Sequence, residues 1–296
     1  MDEFAPEVRN SAWWSGDSRQ AINGKAAEAI LIKQNKMERQ NISHLENVRM
    51  GHVMQPVIGR LAQERLKIEL KDADYSMTHP KEPWLRSHFD FISADGTVLV
   101  EAKNYGSHQA KKFDDDYGVM PDADRIQCIH EATVHGVNTV YLAVLLGGQE
   151  FQVIKVDVTS DMMLEHVKWC AKWWGYVVAG TVPEPETVEE CRTVFPKSEE
   201  GIVTATADME TYCRQLVMAV EHRKKYEEYE ENLKARIFKA MGAKEVLASV
   251  DGTVLATWKS AKSSMKFDVK AFQAAYPLMY DQFVRESPGS RRFLIK

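Results

Sequence analysis

The chain has 296 residues, of which 44% are hydrophobic and 27% charged, the proportions of a soluble globular protein with a core of ordinary size. Its net charge of −5 does not advertise a nucleic-acid binder, and no apolar run approaches the roughly 18 residues of a membrane span. The acidic start, Met1-Asp-Glu-Phe-Ala-Pro-Glu7, has no apolar stretch of the kind a signal peptide needs, so a cytoplasmic location is expected.

Residues 1–18 read as irregular. Residues 19–40 and about 47–70 read as helices, the second with Val48, Val53, Val57, Ile58, Leu61, Ala62, Leu66 and Ile68 near the helical period. Between Arg19 and Lys71 ten Lys/Arg stand against five Asp/Glu, a local excess that could face phosphates in a chain that is acidic elsewhere. Pro80 and Pro83 then break the chain before a predicted β-hairpin, Ser87 to Lys103, whose turn is Asp95-Gly96.

Residues 104–121 read as a mobile loop. A short helix over 122–135 follows, started by Asp122 or Asp124 and ended by Gly136. Thr139–Leu146 is a continuous apolar run closed by Gly147-Gly148, a buried strand, and Phe151–Val158 is its hairpin partner. Residues 161–180 form an aromatic helix in which Leu164, Val167 and Trp174 suit core packing. Residues 184–208, rich in Pro, Glu and Thr, read as a linker. Beyond them come a long polar helix over 209–241, a hairpin at Asp251-Gly252 and a mixed tail over 262–296. The expected organisation is thus a catalytic domain over 1–183, a linker over 184–208 and an extension over 209–296.

The four cysteines, Cys128, Cys170, Cys191 and Cys213, show no C-x-x-C spacing. Without it neither a zinc site nor an iron–sulfur cluster is supported, and free thiols in a reducing compartment are the default.

The hairpin carries the chemistry. With Asp95-Gly96 as the turn, Asp90 faces Glu101 and His88 faces Lys103, and opposed side chains sit roughly 5 Å apart. Two carboxylates that close repel unless a proton or cation lies between them. Mg²⁺, which takes one or two carboxylates plus phosphate oxygens and water, is the obvious cation. The bland alternative is a surface hairpin with scattered charges.

The spacing D-x10-E-x-K resembles the active site of PD-(D/E)xK nucleases. Further segments resemble one family among them, the YqaJ-type viral recombinases, or lambda-exonuclease-like nucleases. These are His79-Pro-Lys-Glu-Pro-Trp-Leu-Arg-Ser-His-Phe-Asp90, Glu101-Ala-Lys103, Gln127-Cys-Ile-His130, Tyr141 to Phe151, and Trp173-Trp174-x-x-Val177. The resemblance covers about residues 11–183, and more loosely Lys266-Phe-Asp268 and Ser290 to Lys296 in the tail.

The resemblance implies an α/β (α+β) fold with a central mixed sheet flanked by helices, plus a helical and β C-terminal extension for oligomerisation or partner docking. It implies a Mg²⁺-dependent 5′-to-3′ exonuclease on linear double-stranded DNA, with Mn²⁺ able to substitute. The product would be a 3′ overhang for a single-strand annealing protein in phage-type recombination, and the enzyme a homo-oligomer, with a trimeric ring as the family precedent. Asp90, Glu101 and the backbone carbonyl of Ala102 would bind the metal. Lys103, expected to have a depressed pKa, would orient or deprotonate the attacking water, and Gln127 would hold that water or a phosphate. Arg19, Asn23 and Lys25 would hold the 5′-phosphate, with His130 as a further DNA contact. Trp13 and Trp14 could stack on a DNA end, although core packing is the commoner fate.

Two departures from the family pattern stand out. Gln55, in Gly51-His-Val-Met-Gln55-Pro56, occupies the place of a metal-assisting Glu, which puts a second metal site in doubt. The segment Arg19 to Lys25 ends without the usual small hydroxyl residue. Two alternatives stay open: a restriction-like or structure-specific endonuclease on the same core, and a non-catalytic DNA-end-binding protein.

Overall fold

The computed structural model describes residues 5–285 and 289–295. The first residues of the acidic N-terminal segment and Lys296 of the basic tail lie outside the described residues. The chain divides into two compact units, Met1–Pro196 and Lys197–Lys296.

The first unit opens with α1 (Pro6–Asn10), β1 (Trp13–Trp14), α2 (Ser15–Ile22), α3 (Ala26–Lys33) and α4 (Glu46–Leu66). It continues with β2 (Leu70–Thr78), β3 (Leu85–Ser93), β4 (Val98–Tyr105), α5 (Asp122–His135), β5 (Thr139–Leu146), β6 (Glu150–Asp157), α6 (Ser160–Ala179) and α7 (Val188–Val194). The architecture is mixed α/β, with a six-stranded mixed sheet flanked by helices. β3 and β4 are antiparallel, β4 and β5 parallel, β5 and β6 antiparallel, and β2 covers the other edge of β3. The parallel β4–β5 pair needs a long crossover, and the segment containing α5 supplies it.

Each sheet face has its own core. Ile58 and Ala62 of α4 pack with Phe91, Val100, Ala143 and Leu145 on one side. Residues of α2, α3, α5 and α6 pack with Trp13, Leu99, Leu142 and Val144 on the other. Gly59 lets α4 lie close: a Cβ there would sit 2.4 Å from Cζ of the Phe91 ring.

The N-terminal segment differs from its sequence reading. Residues 5–18 hold a helix, a strand and the first residues of α2. The single helix expected over 19–40 is two, because Gly24 turns the chain at φ +75° between α2 and α3. Lys33 pins the segment from a buried position, its Nζ 2.6 Å from Asp17 Oδ2 and bonded to the carbonyls of Arg9 and Ala12. Much of the basic excess is spent on such internal pairs, including Arg39 with Asp17, Arg49 with Glu46 and Arg65 with Asp115. The expected loop over 104–121 contains a 3₁₀ turn at Ser107–Lys112 and a bridge between Asp114 and Val119. Within the expected linker, Val188–Val194 is helical and capped by Thr187 and Glu190.

The second unit contains α8 (Ala207–Met241), the hairpin β7 (Val246–Ala248) and β8 (Val254–Thr257), α9 (Val269–Ala275) and α10 (Pro277–Phe283). α8 is exposed along nearly its whole length and carries ion pairs one turn apart, such as Lys234–Glu230. Phe238 stacks on Trp258 at 4.2 Å, fixing the hairpin against the end of the helix.

Candidate active site

The site begins where two strands part. β3 and β4 pair at Phe91↔Val100 and Ile92↔Leu99, the register that the Asp95-Gly96 turn predicts. Toward the start of β3 the next partner on that edge is β1, with Trp13↔Leu85 and Trp14↔Arg86. Asp90 sits in the crotch of this fork. Its Oδ2 accepts the Ala102 N–H at 2.9 Å, so the carboxylate takes the hydrogen bond that a backbone carbonyl would take in a continued ladder. A bulge in β2 opposes it, because Asp72 pairs with Phe91 but Tyr75 with Phe89. Two residues of β2 thus face the single residue Asp90, the arrangement that bends a strand and re-aims a side chain. Phe89 and Phe91 accordingly pack in different cores, one on each sheet face. The same divergence overturns the expected His88–Lys103 pairing: His88 pairs with Ser76 of β2 instead.

Glu101, Lys103 and Tyr105 alternate along β4 toward the α5 side. Glu101 is 4% exposed. Its Oε1 accepts Lys103 Nζ at 2.5 Å and Gln127 Nε2 at 2.6 Å. Gln127, on α5, also donates to Glu131 Oε1 at 3.0 Å, and Glu131 is 1% exposed. Four residues apart on a helix, Gln127 and Glu131 lie about 40° apart around the axis, so both meet β4. Asp90 and Glu131 each come within hydrogen-bonding reach of the Glu101 carboxyl. Three carboxyl groups therefore cluster around Glu101, which alone of them holds the Lys103 ammonium. Sequence reasoning missed Glu131; the available signal was its helical spacing from Gln127.

Burial and then Glu101 push the Asp90 carboxyl up to about 8 from 3.8. Burial and Glu101 likewise push Glu131 well above its ordinary value. Burial also works to raise Glu101, but Lys103 overrides it and holds that carboxylate low. Burial works to lower Lys103, and Glu101 reverses the effect, so Lys103 is held above its ordinary value. Paired with Glu101, Lys103 is held in its ammonium form. An oxygen-rich cluster with more carboxyls than cations keeps protons where it could take a divalent metal. The donor set fits a hard cation such as Mg²⁺.

Gln55, on α4, donates its Nε2 to Asp90 Oδ1 at 2.9 Å. It presents a donor to the carboxylate, as a neutral orienting group does. Arg19 lies beside the cluster and is bound there already, its Nη2 2.8 Å from Asp124 Oδ1 and 2.7 Å from the Tyr105 hydroxyl. Its side chain keeps 31% exposure. Asn23 is exposed at the end of α2, and Lys25 is exposed and pairs with Glu189 at 3.7 Å, so neither joins the carboxylate cluster.

His130 is corrected outright as a DNA contact. It is fully buried, with Nε2 3.0 Å from the Arg86 carbonyl and Nδ1 2.9 Å from Ser18 Oγ. Three residues after Gln127, it is rotated about 60° the other way around α5 and faces α2 and α6. Trp13 and Trp14 are core residues, 0% and 1% exposed, which removes them as DNA stackers.

No family model matches the chain, and no curated protein matches it. Among solved structures, the chain is similar to alkaline and phage-related exonucleases. An alkaline exonuclease (LHK-Exo) from Laribacter hongkongensis, in complex with dAMP, is 10% identical with TM-score 0.47, over 61% of this chain and 94% of that one. An exonuclease from Eubacterium rectale is 13% identical with TM-score 0.45, over 70% and 96%. A phage-related exonuclease from Haemophilus somnus is 10% identical with TM-score 0.40, over 55% and 82%. Likenesses this distant leave the chemistry to be argued from the residues of the site itself.

Proposed function

We propose that this protein is a metal-dependent deoxyribonuclease that degrades one strand of linear duplex DNA from its 5′ end. The observation that carries the reading is the convergence of Asp90, Glu101, Lys103 and Gln127 at the β3–β4 fork, with more buried carboxyl groups than cations to neutralise them. Asp90, Glu101 and the Ala102 carbonyl would hold Mg²⁺, with Mn²⁺ as a substitute. A bound divalent cation would acidify water and neutralise charge on the phosphate.

The residues divide the remaining work. The Gln127 amide nitrogen is engaged by Glu101 and Glu131, which leaves its carbonyl oxygen as the acceptor for a water proton. Lys103 starts as an ammonium and stabilises negative charge on the attacking oxygen and the phosphate. Its proton becomes easier to lose only if Glu101 turns its charge to a metal. Gln55 keeps Asp90 oriented without adding charge, which favours one metal over two. Arg19, the cation nearest the cluster with surface to spare, would receive the terminal 5′-phosphate. The second unit would serve oligomerisation or docking of a single-strand annealing partner.

The test uses linear duplex labelled at the 5′ or the 3′ end, beside closed circular duplex, with Mg²⁺ or chelator. Early loss of the 5′ label, intact circles and silence in chelator are expected. Cut circles would instead make the enzyme an endonuclease, and no Mg²⁺-dependent release at all would remove catalysis. A 5′-phosphorylated end should be digested faster than a 5′-hydroxyl end, and Arg19→Ala should erase the difference, because a dianion gains most from the guanidinium. Equal rates on both ends would remove Arg19 alone from the site.

A further inference from the structure

Behind the carboxylate cluster, on the far side of α5, a second group of chemically potent side chains is buried. His130 of α5, His166 and Cys170 of α6, and Ser18 of α2 bring four donor atoms together. His130 Nδ1 lies 3.0 Å from His166 Nε2 and 3.9 Å from Cys170 Sγ, and Cys170 Sγ lies 3.2 Å from His166 Nε2. Ser18 Oγ is 2.9 Å from His130 Nδ1 and 3.5 Å from Cys170 Sγ. All four residues are buried, from 0% to 3% exposed. We propose that these atoms are the ligands of a structural zinc ion, with His130 Nδ1, His166 Nε2 and the Cys170 thiolate at three corners and Ser18 Oγ at the fourth.

Three arguments carry the proposal. The first is size. A tetrahedral zinc with Zn–N near 2.05 Å and Zn–S near 2.3 Å has N–N edges of about 3.3 Å and N–S edges of about 3.6 Å. The observed N–N edge is 3.0 Å and the two N–S edges, 3.2 and 3.9 Å, straddle that value. Small side-chain shifts would therefore admit the ion.

The second is proton bookkeeping. The Arg86 carbonyl 3.0 Å from His130 Nε2 can only accept, so His130 carries its proton there. Burial keeps the ring neutral, which leaves Nδ1 a single lone pair. Ser18 Oγ and His166 Nε2 both converge on that lone pair. Ser18 accepts the Trp13 Nε1–H at 3.0 Å and can give its own hydrogen to that lone pair, which leaves His166 Nε2 facing it at 3.0 Å; a cation between the two nitrogens binds both lone pairs at once. The Nε2–H···O=C bond to Arg86 is also the kind of support that fixes the tautomer of a metal-binding histidine.

The third is ligand chemistry. Two imidazoles and a thiol suit zinc and disfavour Mg²⁺. His166 and Cys170 sit one helical turn apart on α6, a spacing that presents both to one ion. Binding would displace the Cys170 thiol proton to solvent. It would tie α2, α5 and α6 into one body behind Gln127 and Glu131. The site shares no ligand with the carboxylate cluster and does not depend on the nuclease reading.

The test is Co²⁺ substitution of the metal-stripped full-length protein, in a Cys191→Ser, Cys213→Ser background that removes the exposed thiols. Tetrahedral cobalt with one thiolate should give a sulfur-to-cobalt charge-transfer band in the near ultraviolet, saturating at one Co²⁺ per chain and displaced by Zn²⁺. Carboxylates at the fork lack sulfur and cannot produce that band. Cys170→Ser should abolish it, and zinc should raise the unfolding midpoint of the parent but not of Cys170→Ser. Should Cys170→Ser fail to fold, the parent titration alone decides. No charge-transfer band in the folded parent, or a band that persists in Cys170→Ser, overturns the proposal whatever the nuclease activity.

Discussion

At the scale of single residues, the site is a problem of too many carboxyl groups. Glu131 is the test of how the cluster is held together. Its carboxyl group receives one hydrogen of the Gln127 amide while Glu101 receives the other. Glu131→Ala should free Gln127 to rotate and lower kcat by about 10–100-fold, the usual cost of losing an orienting partner, with little change in KM. Glu131→Gln keeps an acceptor oxygen and should recover most of that loss. Equal damage from both variants would mean that the carboxyl proton Glu131 holds beside Glu101, and not its grip on Gln127, is what matters.

Asp90 gives the pH dependence. Its carboxyl rises from 3.8 in the unfolded chain to about 8 in the fold, so the folded state binds the proton more tightly. That contribution to stability is fully present below 3.8 and is lost as pH rises toward 8. In chelator the unfolding midpoint should therefore fall with rising pH across that window. Mg²⁺ should oppose the fall by taking the place of the proton, and half-saturating Mg²⁺ should drop as pH rises. A Mg²⁺ requirement independent of pH would separate Asp90 from the metal.

At the scale of elements, the hairpin was legible because its turn residues fix the Phe91↔Val100 and Ile92↔Leu99 register, beyond which the strands part with Asp90 beside Glu101. α5 was legible for a similar reason, with Asp122 at its start and Gly136, at φ +92°, at its end. β1 and β2 were not. A two-residue strand has no period, and β2, Leu-Lys-Asp-Ala-Asp-Tyr-Ser-Met-Thr, is polar and broken by the bulge that aims Asp90. Glu131 was hidden because a helical glutamate reads as solvated unless a partner element is known. His130 was misread by one residue of helical phase.

The same scale gives a packing prediction. Gly59→Ala would place a methyl 2.4 Å from Phe91 Cζ and push α4 off β3. Overpacking of this kind costs about 1–3 kcal/mol. Gln55 lies one turn earlier on α4, so its bond to Asp90 should suffer and activity fall together with stability. Adding Phe91→Leu should recover part of both in thermal unfolding and digestion rate. No recovery would show that α4 does not set the position of Gln55 through this contact.

For the whole molecule, residues 195–206 form neither helix nor strand and are exposed almost throughout. Limited trypsin digestion should cut first at Lys197 and leave a stable fragment close to Met1–Pro196. First cuts inside β3 to β6 would contradict the division of the chain into two units. The sequence expectation placed the end of the catalytic part near 183, before α7, because prolines and acidic residues there resemble a linker. α7 is nevertheless helical and packs on α3.

The central claim is that the fork between β3 and β4 is a hydrolytic centre built on Glu101. The most direct measurement is the initial rate of Mg²⁺-dependent nucleotide release from linear duplex by Glu101→Ala beside the unsubstituted protein, with DNA affinity measured in parallel. A rate lower by several orders of magnitude with affinity nearly unchanged is the predicted result, because both the metal and the anchor of Lys103 and Gln127 are lost. Activity within about tenfold of the unsubstituted protein would contradict it.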